Sequence, residues 1–282
     1  MKSWIIYICI IIYIIAIILY SRLTNTFDIP TYSIVIPKDY YLPKQIWCYW
    51  DSGILPKDIE EYYENNKKVL DDWKITFLTD ENLSQYIDVS AIPDKYKMLM
   101  AQHKADYIRL AVLHKWGGTW MDASIIVNSK EAMEKLYIEM SERKAQATLF
   151  TLGEPRPDPS YIENWFIMAP RESPVIGAWL HEYSYAIEMT FSSYERHIQR
   201  NWYTINSRIW LPYLTEHACM QVILKKYPEL KEMIILHPAE DHMLRIQVEC
   251  KWDSACIGDG IKKGHKHIPY VKLRGNDRGA LK

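Results

Sequence analysis

Three charged side chains, Asp106, Arg109 and Asp122, have the types and spacing of a ligand-binding site. Asp106 and Arg109 are three residues apart, so on a helix they share one face, although such a pair is usually a surface ion pair. Gly117 and Gly118 end the predicted helix, and an apolar stretch then leads to Asp122. Asp often caps a turn, but α/β proteins also place ligand or metal groups at strand ends. The context therefore favours a binding site at this point.

Strand and helix patterns alternate around these residues. Strands are predicted at 45–50, 74–78, 119–127 with a polar break at 122–124, 147–151, 165–169 and 233–236. Helices are predicted from Pro56 to residue 70, from Glu81 onward, and at 97–115, 175–189 and 211–227. This alternation predicts an α/β fold with a layered sheet and a nucleotide-type crevice at the strand ends.

The N-terminal segment has the composition of a membrane-spanning helix. Residues 4–20 carry no charge, and at about 1.5 Å per residue they reach ~25 Å, near the lower limit for a bilayer. Trp4 and Tyr20 stand at the two ends, where amphipathic rings favour the membrane interface. A cleaved signal peptide and a buried core helix both fit less well. We predict a membrane anchor over 1–22 that contacts the lipid bilayer, a stem over 23–42 and one domain over 43–282.

The overall composition excludes several classes of protein. The 34 Lys and Arg against 35 Asp and Glu leave a net charge of −1, so we expect no nucleic acid partner bound by bulk charge. Five cysteines exclude a disulfide scaffold, while Cys250 and Cys256 either bridge in an oxidising compartment or stay free. The hydrophobic fraction of 49% combines the anchor with the remaining chain. That remainder, about 240 residues, suits one large domain.

Four sequence blocks, in order, resemble those of the capsular polysaccharide synthesis proteins. They are LPKQIWCYW at 42–50, FLTDENLSQYI at 77–87, ADYIRL with GGTWMDAS at 105–124, and NWFI at 164–167. The central block is also similar to the wider group of DXD-motif sugar transferases, which includes the initiating yeast mannosyltransferases and the large clostridial glucosylating toxins. The resemblance covers roughly residues 42–189. It implies a GT-A glycosyltransferase that binds a nucleoside-diphosphate sugar and transfers the sugar to a glycan or other acceptor.

The resemblance also implies roles for individual residues. Trp50 would stack on the nucleotide base, because the π-face of its ring suits that contact. Asp106 and Arg109 would bind hydroxyls of the donor sugar, one as acceptor and one as donor of hydrogen bonds. Asp122 matches the first acid of the DXD motif and would face the ribose and a metal-bound diphosphate, while Asn164 would line the donor-sugar side. Relatives of this kind mostly retain the anomeric configuration, which implies a retaining reaction.

The expected metal site departs from the motif. Ser124 stands where the second acid would be, and a hydroxyl binds Mn²⁺ more weakly than a carboxylate does. The implied cofactor is Mn²⁺ or Mg²⁺ on Asp122, with Ser124 and His265 or His267 as further candidate ligands. Alternatively, basic groups such as Lys272 replace part of the metal's work, or the C-terminal segment is only a solvated basic tail.

Two questions stay open at the level of the sequence. The missing second acid is also compatible with a catalytically inactive, membrane-tethered carbohydrate-binding protein on a degenerate transferase fold. Trp202, Tyr203, Trp210 and Tyr213 line a sugar acceptor groove or belong to the core. A type II anchor would place the domain in the Golgi or ER lumen of a eukaryote or the host of a virus, whereas a bacterial relative would work in the cytoplasm.

Overall fold

The structure, a computed structural model, describes residues 7, 10–16, 29–264 and 267–279. The chain divides into a short unit, Met1–Thr31, and a large unit, Tyr32–Lys282. Among the described residues, no helix has the length and apolar character needed to cross a membrane. The predicted anchor and stem fall partly outside the described residues, so contact with a lipid bilayer stays a prediction.

The large unit is built from strands and helices that alternate along the chain. In chain order the strands are β1 Gln45–Tyr49, β2 Lys74–Leu78, β3 Gly118–Met121, β4 Ile125–Val127, β5 Ala147–Thr151, β6 Ile162–Ala169, β7 Ile234–Pro238 and β8 Tyr270–Lys272. The helices are α1 Lys57–Val69, α2 Ala101–Trp116, α3 Lys130–Arg143, α4 Pro174–Met189, α5 Phe191–Arg200, α6 Thr215–Lys226, α7 Arg245–Glu249, α8 Ser254–Lys262 and α9 Gly275–Gly279.

The main sheet has the strand order β2-β1-β3-β6-β5-β7. β1 runs parallel to both β2 and β3, β6 runs antiparallel to β3 and β5, and β5 runs parallel to β7. Ile46, Phe166 and Met168 are fully buried in this sheet. The fold is therefore mixed α/β, which confirms the predicted class at that level.

One predicted helix was wrong. From Glu81 onward the chain forms short 3-10 turns, Leu83–Gln85, Val89–Ala91 and Asp94–Met98. The Asp88 side chain accepts from the Ser90 amide, and the Trp116 indole donates to the Tyr86 carbonyl. A continuous helix would join this amide to this carbonyl, so the side-chain bonds compete with it for the backbone groups.

Two glycines form the corner between α2 and β3. Gly117 has φ +70° and Gly118 has φ +102°, a region that other residues rarely adopt. A Cβ on Gly118 would lie 2.5 Å from the Gln45 carbonyl oxygen, and one on Gly117 would lie 2.5 Å from the Arg171 amide nitrogen. The corner therefore places α2 directly against the sheet, and β3 runs from the corner toward Asp122.

The C-terminal segment forms a second, two-stranded sheet. β8 pairs antiparallel with β4, and the register aligns Lys272 with Ile125. Tyr270 and Val271 are each 2% exposed, so the alternative of a solvated basic tail was wrong for this stretch. Just before it, a disulfide joins Cys250 and Cys256, with 5.6 Å between their Cα atoms.

The tight corner predicts a large cost for a side chain at Gly118. Gly118→Ala combines the positive φ with a clash against backbone, so we expect the free energy of unfolding to fall by about 1–3 kcal/mol. Gly275→Ala is the matched control, because a Cβ there meets nothing within 4 Å. Denaturant unfolding of the two variants measures the difference. Equal stability of both would contradict the role given to the corner.

Candidate functional site

A cleft of about 420 Å³ lies where several strands of the main sheet end. β1 and β3 are parallel, so their carboxyl ends meet at one edge. Trp50 follows β1, Asp122 follows β3, and both line the cleft. Asn164 joins them because β6 runs antiparallel to β3 and its first residues lie at the same edge.

The α2 helix contributes a buried cation to this cleft. Arg109, 4% exposed, is held by three carboxylates. Its Nη1 lies 2.8 Å from Asp106 Oδ1 and 2.8 Å from Glu216 Oε2, and its Nη2 lies 3.5 Å from Asp122 Oδ1. The guanidinium also stands over the Trp120 ring, 5.2 Å from the centroid. The i, i+3 pair is thus a buried network and not a surface ion pair.

Asp106 stays anionic inside this network. Burial acts to raise the pKa of its carboxyl, but the Arg109 charge and the His103 contact outweigh burial, so the pKa lies below its usual range. His103 Nδ1 is 3.4 Å from Asp106 Oδ2, and Asn164 Nδ2 donates to Asp106 Oδ1 at 3.2 Å. The Asp106 carboxylate is therefore a fixed hydrogen-bond acceptor on the wall of the cleft.

Glu216, on α6, is the member that the sequence analysis missed. It is fully buried, and burial together with the Asp106 charge raises the pKa of its carboxyl well above the usual range, despite Arg109. Its Oε2 accepts from Arg109 Nη1 at 2.8 Å and from Asn164 Nδ2 at 2.5 Å. An acid in the first turn of a helix usually serves the helix dipole, so the sequence carried no distinguishing signal for this role.

A second cation reaches the cleft from the C-terminal sheet. Lys272 Nζ lies 2.9 Å from Asp122 Oδ2 and donates to Ser124 Oγ at 2.9 Å. Trp120 Nε1 donates to the other Asp122 oxygen at 3.0 Å. Burial acts to raise the pKa of Asp122, but the Lys272 and Arg109 charges outweigh burial and hold that pKa below its usual range. Both carboxylate oxygens of Asp122 therefore already face protein donors.

These donors do not fit a divalent cation. Within the described ranges, no group of three or more His, Cys, Asp or Glu side chains could hold a metal ion. The two predicted ligands, Asp122 and Ser124, both face the Lys272 ammonium. The His267 side chain is 58% exposed and lies 3.8 Å from Glu249. The other candidate, His265, lies outside the described residues, and the Mn²⁺ or Mg²⁺ cofactor stays a prediction.

Further positive charge lines the C-terminal side of the cleft. Arg274 and Arg278 lie on this side together with Lys272. Arg274 is held by Asp277, with its Nε 2.9 Å from Asp277 Oδ2 and its Nη2 2.7 Å from Oδ1. The cleft thus has a cationic side, an acid and amide side at Asp106 and Asn164, and an aromatic edge. A diphosphate joined to a base and a sugar presents the matching groups.

Comparison with known proteins assigns the family. The profile of the capsular polysaccharide synthesis proteins matches residues 18–268 of this chain. The chain belongs to this family. The predicted resemblance is confirmed, and it extends well beyond the sequence blocks that suggested it.

Two curated relatives of this chain carry glycosyltransferase names. An O-glycosyltransferase (braB) of Annulohypoxylon truncatum is 29% identical over 152 residues, which is 49% of this chain and 36% of the relative. A glycosyltransferase (afumC) of Aspergillus fumigatus is 26% identical over 182 residues, 57% of this chain and 45% of the relative. The chain therefore spans less than half the length of these curated relatives.

A solved structure shows a more distant likeness. It is the glycosyltransferase involved in the glycosylation of the major capsid of PBCV-1, which is 12% identical with a TM-score of 0.42. The match covers 83% of this chain and 98% of that chain.

The cleft brings together most of the predicted site residues. Trp50, Asp106, Arg109, Asp122, Ser124 and Asn164 all line it. The roles assigned to them stay predictions. His267, in contrast, is not among the residues that line the cleft.

The raised pKa of Glu216 predicts a specific pH dependence of stability. Because this pKa is higher in the folded chain than in the unfolded chain, the folded chain binds the proton more tightly, and this contribution to stability falls as pH rises. Glu216→Gln has a side chain that cannot titrate. We expect the stability of the natural chain relative to Glu216→Gln to increase as pH falls toward the ordinary pKa range of a Glu carboxyl, about 4–5. Denaturant unfolding of both proteins measures this, and parallel pH profiles would argue against a raised pKa at Glu216.

Proposed function

We propose that this chain is a glycosyltransferase that moves a sugar from a nucleoside-diphosphate sugar to a glycan or related acceptor. The carrying observation is the cleft itself, in which Trp50, the buried Asp106–Arg109 pair and the Asp122–Lys272 pair line one space. The family and the names of its curated relatives support the reaction class. A mixed sheet with the cleft at its strand ends supports the GT-A type of fold.

The two sides of the cleft suit the two halves of such a donor. Cleavage of the bond to the anomeric carbon leaves negative charge on the diphosphate, which Lys272, Arg274 and Arg278 are placed to stabilise. Asp106 accepts hydrogen bonds from sugar hydroxyls, and Asn164 lines the same side of the cleft. A retaining reaction is part of this proposal and rests on the resemblance to the DXD-motif transferases.

An aromatic pair beside the cleft suits an acceptor sugar. Trp210 and Tyr213 stack at 6.1 Å between ring centroids, with 29° between their planes. Their exposures are 69% and 48%, and Tyr213 lines the cleft. Exposed rings of this kind stack on the apolar faces of sugars. Of the predicted aromatic set, Tyr213 lines the cleft and Trp210 stacks on it, while Trp202, 82% exposed, is not among the cleft residues.

A donor screen tests the proposed activity. The purified full chain is incubated with a panel of UDP- and GDP-sugars with and without Mn²⁺, and released nucleotide is measured by mass spectrometry. We expect release from at least one donor, and a loss of about 10²–10³ in kcat in Asp122→Ala because the carboxylate that holds Lys272 and Arg109 in position is removed. Asp259→Ala, which removes an exposed acid outside the cleft, should leave the rate unchanged.

The result of that screen separates the two hypotheses for this protein. If no donor is turned over and Asp122→Ala leaves nucleotide binding unchanged, the enzyme proposal fails. The inactive carbohydrate-binding alternative would then be favoured. Circular dichroism of each variant checks that it is folded.

The aromatic pair predicts a selective effect on the acceptor. Trp210→Ala should raise the KM for the acceptor by about tenfold, a loss of roughly 1.4 kcal/mol in binding. Hydrolysis of the donor in the absence of acceptor should not change. Trp202→Ala is the matched control, because it also removes an exposed indole, whereas Trp210 stacks on the cleft residue Tyr213. An equal effect of both variants would argue against an acceptor platform.

A further inference from the structure

We propose that the Lys272 ammonium takes the place of the divalent cation, so that this protein binds and cleaves its donor without a metal. The proposal rests on the proposed glycosyltransferase function and adds to it the identity of the group that stabilises the leaving diphosphate. It assigns Lys272 as a catalytic residue and removes the metal requirement implied by the DXD resemblance.

The position of Lys272 is the first argument. Its Nζ lies between the two motif residues, 2.9 Å from Asp122 Oδ2 and 2.9 Å from Ser124 Oγ. The side chain is 13% exposed and lines the cleft. An ammonium has three N–H donors, and among the described residues these two acceptors use two of them. The third can donate to a phosphate oxygen in the cleft.

Formal charge is the second argument. In the full motif, two carboxylates and one divalent cation sum to zero. Ser124 removes one negative charge and Lys272 replaces the cation by one of lower charge, so Asp122, Ser124 and Lys272 also sum to zero. A divalent cation added beside the ammonium would meet strong repulsion at contact distance, with one carboxylate to offset it.

The rigidity of the lysine's support is the third argument. β8 is hydrogen-bonded to β4, the Lys272 amide donates to the Met243 carbonyl at 2.9 Å, and the Leu273 amide donates to the Ser124 carbonyl at 3.1 Å. Val271 and Leu273, on either side of the lysine, are buried. The ammonium is therefore held in place before the donor binds, which is the condition for effective electrostatic stabilisation.

The transfer of the sugar from the diphosphate to the acceptor can be written without a metal ion. The bond between the anomeric carbon and the diphosphate oxygen breaks, and its electron pair stays on that oxygen. Lys272, with Arg274 and Arg278 beside it, stabilises the added charge by hydrogen bonds. The acceptor oxygen forms the new bond to the anomeric carbon, and its proton passes to the leaving diphosphate.

Chelation and substitution test this assignment together. Nucleotide release by the full chain should be the same in EDTA as with Mn²⁺, and calorimetry should detect UDP or GDP binding in EDTA. Lys272→Met should lose that binding and about 10²–10³ in kcat. Lys68→Met, an exposed lysine that does not line the cleft, is the control and should behave like the natural chain. The double variant Ser124→Asp, Lys272→Met restores the acid pair and should bind Mn²⁺ and require it for turnover.

Electron paramagnetic resonance of Mn²⁺ gives a readout that does not depend on activity or on the lysine variant folding. We expect no Mn²⁺ site that depends on Asp122, so the natural chain and Asp122→Ala should bind the same amount of Mn²⁺. Mn²⁺ binding that depends on Asp122, or activity abolished by EDTA and restored by Mn²⁺, would overturn the inference and leave the proposed function intact. If no donor is turned over under any condition, the proposed function fails. UDP or GDP binding in EDTA that Lys272→Met abolishes would then still support a metal-free phosphate contact at Lys272, and its absence would contradict that contact.

Discussion

The buried Arg109 guanidinium is the interaction on which the rest of the site depends. A cation with 4% exposure needs nearby negative charge, since burial without partners would cost several kcal/mol. Asp106, Asp122 and Glu216 supply those partners, and they come from α2, the end of β3 and the start of α6. Arg109 thereby fixes Asp106 and Asp122, which both line the cleft, while burial and the Asp106 charge raise the pKa of Glu216.

The second cation completes the cleft from the far end of the chain. Lys272 contacts Asp122 across a sequence separation of 150 residues, through the pairing of β4 with β8. Asp122 therefore lies between Arg109 on one side and Lys272 on the other. This arrangement holds the acid ionised and leaves cationic groups along the side of the cleft where a diphosphate would lie. The acidic side at Asp106 and the cationic side at Lys272 together give the cleft its polarity.

The parts of the site that could be predicted from the sequence were local. The i, i+3 spacing of Asp106 and Arg109, the glycine corner and the strand leading to Asp122 are all encoded within one short segment, and the structure has them as predicted. The Lys272–Asp122 pair and the Glu216 contact depend on how distant segments align, which no spacing reveals. The helix expected after Glu81 was wrong because the Asp88 and Trp116 side chains bond backbone groups that would continue it.

A crystal structure of the chain with bound UDP or GDP, grown in the presence of Mn²⁺, tests the central claim most directly. Anomalous scattering identifies Mn²⁺ independently of any assumption about the site. We expect a diphosphate oxygen within hydrogen-bond distance of Lys272 Nζ and no anomalous peak between Asp122 and Ser124. A Mn²⁺ ion coordinated by Asp122, with Lys272 displaced from that carboxylate, would contradict a metal-free role for Lys272.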